Sequence, residues 1–295
     1  MGLLYIGNIT QGQETVYKTI KVDGLNIFYR EAGSPNAPTI LFLHGFPSSS
    51  RMFQGLFPLL ADRYHLIAPD YPGFGHSDAP PPSSFKYTFD HLADIMADFA
   101  KAISLPTCTV YMQDYGGPIG MRLLTTGRIQ AGSIIIQNAV SHEEGLSSLW
   151  GPRRAFWKDR VANEEAVKKN FTSLEATRQR HIGTTPHPER IDPDTWTDEY
   201  AFLTIPGQSE IQVDLFYDYQ TNVASYPVWQ QWLRKNQPRM LVLWGKYDPS
   251  FTVEGALAYK KDVPSCEVRL LNAGHFALDE ATPAIEHEIS TFLTY

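Results

Sequence analysis

Two cysteines in 295 residues are too few for a disulfide framework. Cys108 and Cys266 each sit in an apolar, strand-like run, which predicts buried, reduced thiols in a cytoplasmic protein. The Asn-x-Thr triplets at Asn8 and Asn170 are then expected to stay unglycosylated. No run approaches the roughly 18 apolar residues of a membrane-spanning helix. Basic residues are also sparse: 25 Lys+Arg stand against 32 Asp+Glu, a formal charge of −7, with no basic cluster. That balance argues against nucleic acid and anionic membranes as partners. The start, MGLLYIGNIT, lacks the basic stretch and small-residue cleavage site of a secretory leader, and Ile6 stands where a myristoylation signal has Ser or Thr. One further absence matters for chemistry: no G-x-S-x-G occurs anywhere in the chain.

What is present is a globular composition, 43% hydrophobic and 19% charged, in a chain long enough to bury about 75% of its unfolded surface without staples. Strand-like runs cover Val16–Val22 and Leu25–Glu31 around an Asp23-Gly24 turn, then Thr39–Leu43, His65–Pro69, Thr109–Gln113, Ser133–Gln137, Met240–Trp244 and Glu267–Leu271. ILFL, TVYM, SIIIQ and MLVLW are apolar on consecutive residues, as central strands covered on both faces must be. Helical spacing appears between them over Thr88–Ile103, Gly117–Leu124, Val253–Lys261 and Ile285–Phe292. This alternation predicts an α/β architecture with a mostly parallel, doubly wound sheet. No strand-like run falls between about Val140 and Asn236, so a mainly helical insertion is expected there. No repeat, low-complexity tract or linker is present.

The sharpest chemical signal is Thr109–Gly120, TVYMQDYGGPIG, where an apolar strand meets a polar residue and then glycines that open a helix. Such a bend holds its central residue in a strained conformation and needs small neighbours. It presents a nucleophile, and here the position is Asp114. Asp also caps helices well, and that simpler role is the alternative for Asp114 taken alone. Two further groups end strands: Asp248 in GKYDP and His275 in NAGHF. Open α/β sheets bind ligands at the carboxyl ends of their strands, where Asp114, Asp248 and His275 converge. The loop Leu43-His44-Gly45-Phe46-Pro47 offers the Phe46 amide, and the bend offers that of Tyr115, as an oxyanion hole. His44 reads as structural. Asp70–Asp78, DYPGFGHSD, has Asp78 at the last glycine position of a dinucleotide fingerprint and no long helix after it, so that use is rejected. His181 and His187 lack Cys or carboxylates at ligand spacing, so no metal is expected.

Together HGFP, DYPGFGHSD, QDYGGP, WGKYD and AGHF resemble the α/β-hydrolase fold, and more narrowly its aspartate-nucleophile branch of epoxide hydrolases and haloalkane dehalogenases. The resemblance implies an eight-stranded, mostly parallel sheet flanked by helices. It also implies a core of 1–139 and 237–295 and a helical cap over 140–236, inserted after the sixth strand. It implies nucleophile, acid and histidine in the order Asp114, Asp248, His275, and no cofactor. In some dehalogenases the acid follows the sixth strand directly; the matching residue, Asn138, is uncharged, which favours Asp248.

A carboxylate needs no base to activate it. Attack on an ester would give only a mixed anhydride, whereas attack on an sp³ carbon gives a stable alkyl-enzyme ester that His275, oriented by Asp248, hydrolyses with water. An opening epoxide wants an acidic O–H and a halide wants N–H donors. Dehalogenases usually carry Trp after the nucleophile, and this chain has Tyr115. Epoxide hydrolases generally use two cap tyrosines; Tyr219, near Tyr217, resembles the second, and Trp150 and Trp157 occupy the region of the first, with Tyr200 as a substitute from elsewhere. His142, Trp157 and Tyr219 are the alternative, a halide cluster like that of fluoroacetate dehalogenases. The expectation is an epoxide hydrolase, monomeric or homodimeric, with dehalogenation of haloalkanes or haloacids as the alternative. A non-catalytic small-molecule receptor on this fold is the alternative outside enzymology.

Overall fold

A computed structural model describes residues 14–294; the Asn8 triplet and the leader and myristoylation readings lie outside them. The described residues form one eight-stranded sheet in the order β1-β2-β4-β3-β5-β6-β7-β8. Its strands are β1 Val16–Val22, β2 Leu25–Ala32, β3 Thr39–Leu43, β4 His65–Pro69, β5 Cys108–Gln113, β6 Ala131–Gln137, β7 Met240–Gly245 and β8 Glu267–Leu271. β2 runs antiparallel to β1 and β4, and all other neighbours are parallel. The first hairpin turns at Asp23 (φ 48°) and Gly24 (φ 81°), the pair of left-handed residues that the Asp-Gly signal demands.

The helices are α1 Phe57–Leu60, α2 Phe89–Ala102, α3 Gly116–Thr125, α4 Trp150–Lys158, α5 Arg160–Thr172, α6 Leu174–Ile182, α7 Asp194–Leu203, α8 Gln208–Asp218, α9 Gln220–Asn236, α10 Val253–Asp262 and α11 Ala277–Leu293. Alternate strand residues explain the continuous apolar runs. Leu41, Val110, Met112, Ile134 and Val242 join α2 and α3 in one core layer. Ile40, Phe42, Tyr111, Ile135 and Leu241 join α1 and α11 in the other. Each central strand is therefore apolar at every position because both of its faces are roofed by helices. α11 begins eight residues before its predicted start at Ile285. Pro283 ends the apolar periodicity, and the chain passes it through a kink at Ala281 (φ −128°, ψ 22°) instead of stopping.

Between β6 and β7 the chain is helical from α4 to α9. Breaks fall at turn-forming residues: α6 ends before Thr184-Thr185-Pro186, and α8 starts after Gly207 (φ 90°). This segment is tied to the sheet layer through polar contacts. Asp218 accepts from the Phe89 amide at 2.8 Å, and Arg122 on α3 donates to Asn222 on α9 at 2.7 Å. A small cluster of its own, Phe156, Val167, Val213 and Phe216, packs α4, α5 and α8 together. Both cysteines are buried and free. Among the described residues no helix is long and apolar enough to cross a membrane.

Candidate active site

Asp114 lies between the end of β5 and the start of α3 in a left-handed conformation, φ 46°, a region that Asp tolerates better than most residues. Its neighbours make the bend possible. A Cβ on Gly45 would stand 2.4 Å from the Asp114 Cβ, and one on Gly116 would stand 2.1 Å from the Leu43 carbonyl oxygen. The Asp114 carboxylate is buried at 8% exposure, accepts from the Phe46 amide at Oδ1 (2.8 Å), and is also stabilised by the Tyr115 amide. Burial raises its pKa, against the opposing pull of His275 and the two amides, and the net shift is upward.

His275 stands 3.8 Å from Asp114, Nε2 to Oδ2, and donates from Nδ1 to Asp248 at 2.6 Å. At that distance Nε2 makes no direct hydrogen bond to Asp114. Gln113 also approaches Nε2, at 3.2 Å. Burial works to lower the His275 pKa, but the charge and hydrogen bond of Asp248 and the charge of Asp114 override it and raise the value. Asp248 is fully engaged. Its Oδ1 accepts from the Ser250 (2.8 Å) and Phe251 (3.0 Å) amides, and its Oδ2 from His275 and from Asn138 Nδ2 (2.8 Å). Asn138, the uncharged residue that follows β6, thus holds Asp248; it is left-handed (φ 43°) and also accepts from the Gly245 amide at 2.8 Å.

A cavity of about 50 Å³ lies over these groups, lined among others by Phe46, Asp114, Tyr115, Trp150, Tyr219 and His275. That is room for a few water-sized groups. Tyr219, at the α8–α9 junction, is buried; burial first, then Tyr226 and Asp114, hold its phenol well above its usual pKa.

Four expected leaving-group residues do not line this cavity. Trp157 stacks near Tyr219 (6.4 Å, 9°) but donates its indole N–H to the Phe216 carbonyl at 3.0 Å. Tyr217 packs on Phe156 and under Arg160, because a two-residue step from Tyr219 turns it to another face. His142 is captured by Asp262 on α10 at 2.7 Å. Tyr200 sits on α7, outside the lining. Trp150 does line the cavity, with its N–H donated to the Ser250 carbonyl at 3.1 Å.

Sequence reading missed Arg153, Phe171, Arg180, Phe216, Pro249, Ser250 and Phe251 in the lining. The two arginines lie in a charge-rich helical stretch whose spacing gives no inward face. Ser250 and Phe251 had a signal: they follow Asp248 closely, where an Asp side chain commonly accepts from amides two or three residues on. His44, expected to be structural, is fully buried and stacked on Tyr71 at 4.0 Å. Burial lowers its pKa to about 4. His181 does meet carboxylates, Glu199 and Asp279, which sequence spacing did not show.

Comparison with known proteins places this chain among relatives. The sequence model described as alpha/beta hydrolase fold matches residues 38–282. An uncharacterized hydrolase of Saccharomyces cerevisiae, YNR064C, is 41% identical over 272 residues, covering 90% of this chain and 93% of that protein. A haloalkane dehalogenase of Psychrobacter cryohalolentis is 35% identical over 118 residues, 38% of this chain and 39% of that protein. The solved epoxide hydrolase CorEH superposes with a TM-score of 0.77 at 16% identity, over 95% of this chain and 98% of that one.

Proposed function

The chain belongs to the α/β-hydrolase fold family, and from that premise we propose that it opens epoxides to diols through an ester on Asp114. The observation that carries this reading is that Asp114 and Tyr219, whose hydroxyl also meets Tyr226, line one cavity, while the indole N–H groups of Trp150 and Trp157 are spent on backbone carbonyls. An alkoxide leaving group finds an O–H donor there; a halide finds neither indole N–H free.

Asp114 Oδ2, not held by the Phe46 amide, attacks a ring carbon. The C–O bond breaks, its electron pair stays on oxygen, and that oxygen takes the Tyr219 proton. An alkoxide is a stronger base than an ordinary phenolate, which favours the transfer. Esterification removes the Asp114 charge and with it one cause of the raised His275 pKa, which favours the neutral base. His275 then takes a proton from water as its oxygen bonds to the Asp114 carbonyl carbon. The developing oxyanion faces the Phe46 and Tyr115 amides. Cleavage of the acyl–oxygen bond expels the second oxygen of the diol, which takes the proton held by His275, and the proton left on the regenerated Asp114 carboxyl returns to the Tyr219 phenolate through solvent.

Hydrolysis of a small epoxide to its diol, followed by intact-mass measurement of His275→Gln with the same epoxide, tests the scheme. The expected results are diol from the wild type and a stable adduct of substrate mass on the variant. A diol-forming wild type whose variant shows no adduct would contradict the ester. Dehalogenation by the same Asp114, His275 and Asp248 is the second reading, favoured by the partial match to a dehalogenase; halide release without diol from the same panel would select it.

A further inference from the structure

Arg153 and Arg180 both line the cavity over Asp114, and both also line a larger groove of about 380 Å³ outside it. They share that dividing wall with Phe171, Pro249 and Ser250. A guanidinium offers five N–H donors. Arg180 donates from Nη2 to the Phe171 carbonyl at 2.9 Å, and its Nη1 is buried with no hydrogen-bond partner. Arg153 reaches only the Ser250 hydroxyl, at 3.4 Å. Among the described residues neither makes an ion pair with a carboxylate. Aromatic rings hold the two guanidinium groups in place: Arg180 lies 4.8 Å from the Phe46 ring, and Arg153 lies 4.3 Å from that of Trp150. Phe171 stands 5.2 Å from each.

Two adjacent cations that no carboxylate contacts raise each other's energy, and the more distant charges of Asp114, on both, and Asp248, on Arg153, offset this only in part. Burial, then the Arg153 charge, lowers the Arg180 pKa to about 10, and burial lowers that of Arg153. Glu199 acts on Arg180 at a distance but is bound to His181 at 2.9 Å. The carboxylates within the site are already committed: Asp248 to four donors, Asp114 to the Phe46 amide and to attack. What remains uncompensated is a pair of fork-shaped donors at the mouth of a chamber a few atoms wide, and planar bidentate donors match a carboxylate best.

We propose that the substrate is a small epoxide bearing a carboxylate, which Arg153 and Arg180 hold at the wall while the oxirane enters the chamber over Asp114. This rests on the epoxide reading above, and it adds the charge and the size of the substrate. Because the arginines line the same 50 Å³ space as the nucleophile, the carboxylate lies within a few bonds of the reacting carbon.

Binding and turnover test the two claims separately. Cyclopropanecarboxylate copies the shape of oxirane-2-carboxylate without its reactive bond, and cyclopropanecarboxamide is its neutral partner. Calorimetric titration of the wild type should show the carboxylate binding about 100-fold more tightly, since each charge-assisted contact is worth about tenfold or more. Arg153→Gln and Arg180→Gln should each reduce that preference about tenfold, and Arg→Lys at either site should restore part of it. Equal binding of acid and amide by the wild type overturns the proposal, whether or not the arginine variants fold. In the turnover arm, oxirane-2-carboxylate should outpace oxirane-2-carboxamide through KM. Equal rates to diol leave epoxide hydrolysis standing and remove the anion site. Tight carboxylate binding with halide release from chloroacetate, and no diol from either oxirane, keeps the anion site and removes epoxide hydrolysis.

Discussion

A phenol, an imidazole and a carboxylate divide the proposed chemistry by what each can hold. Tyr219 is kept protonated by burial, so it serves as a donor across the working pH range. Tyr219→Phe should slow ring opening about 10²-fold while leaving hydrolysis of a preformed ester unaffected; single-turnover kinetics separate the two steps, and equal slowing of both would remove the assigned role. His275 must be neutral to act as base, and its raised pKa means that activity is lost as pH falls through that value. Because part of the rise comes from the Asp114 charge, the ester-hydrolysis step should show a lower apparent pKa than the imidazole of the free enzyme measured by NMR. Coincident values would mean that the Asp114 charge plays no part. That Asp114, Asp248 and His275 come together was legible in the sequence, because each ends a strand and strand ends converge. The placement of His142, Tyr217 and Trp157 was not, because their direction depends on which helix face meets the sheet.

The strand–helix bend is where local sequence and packing agree most closely. Gly116 opens α3 against the Leu43 carbonyl, which as backbone cannot swing aside. Gly116→Ala should therefore cost roughly 3 kcal/mol, the upper range for overpacking, measured by urea unfolding. Gly151 in α4 has nothing within 4 Å of a built Cβ, and Gly151→Ala should stabilise by roughly 0.5–1 kcal/mol. A Gly116→Ala protein as stable as Gly151→Ala would show that the bend relaxes freely. The strands read correctly for the same reason that the bend did: both-face burial demands apolar residues in succession, and the central strands supply them.

At the scale of the whole molecule, the α4–α9 segment must sit on the sheet for the cavity to exist. His181 on α6 bridges Glu199 on α7 (2.9 Å) and Asp279 on α11 (2.6 Å), next to the loop that carries His275. Burial disfavours its charge, but the Glu199 charge and the hydrogen bonds of both carboxylates raise its pKa to about 9. A folded value above the unfolded one near 6.5 gives stability that is complete below that lower value and lost as pH rises through about 9. The melting-temperature gap between wild type and His181→Gln should therefore be wide at pH 7 and close by pH 10; a gap unchanged with pH would show that the imidazolium is not what binds these helices. The amino-acid sequence alone determined the sheet, the bend and the order of the three site residues, because periodicity and glycine placement are local requirements written into consecutive positions. Tertiary structure alone decided that Asn138 holds Asp248, that His142 turns away to Asp262, and that Arg153 and Arg180 meet at one wall. Those outcomes depend on how separate helices dock, and docking is set by packing and charge compensation between residues far apart in the chain.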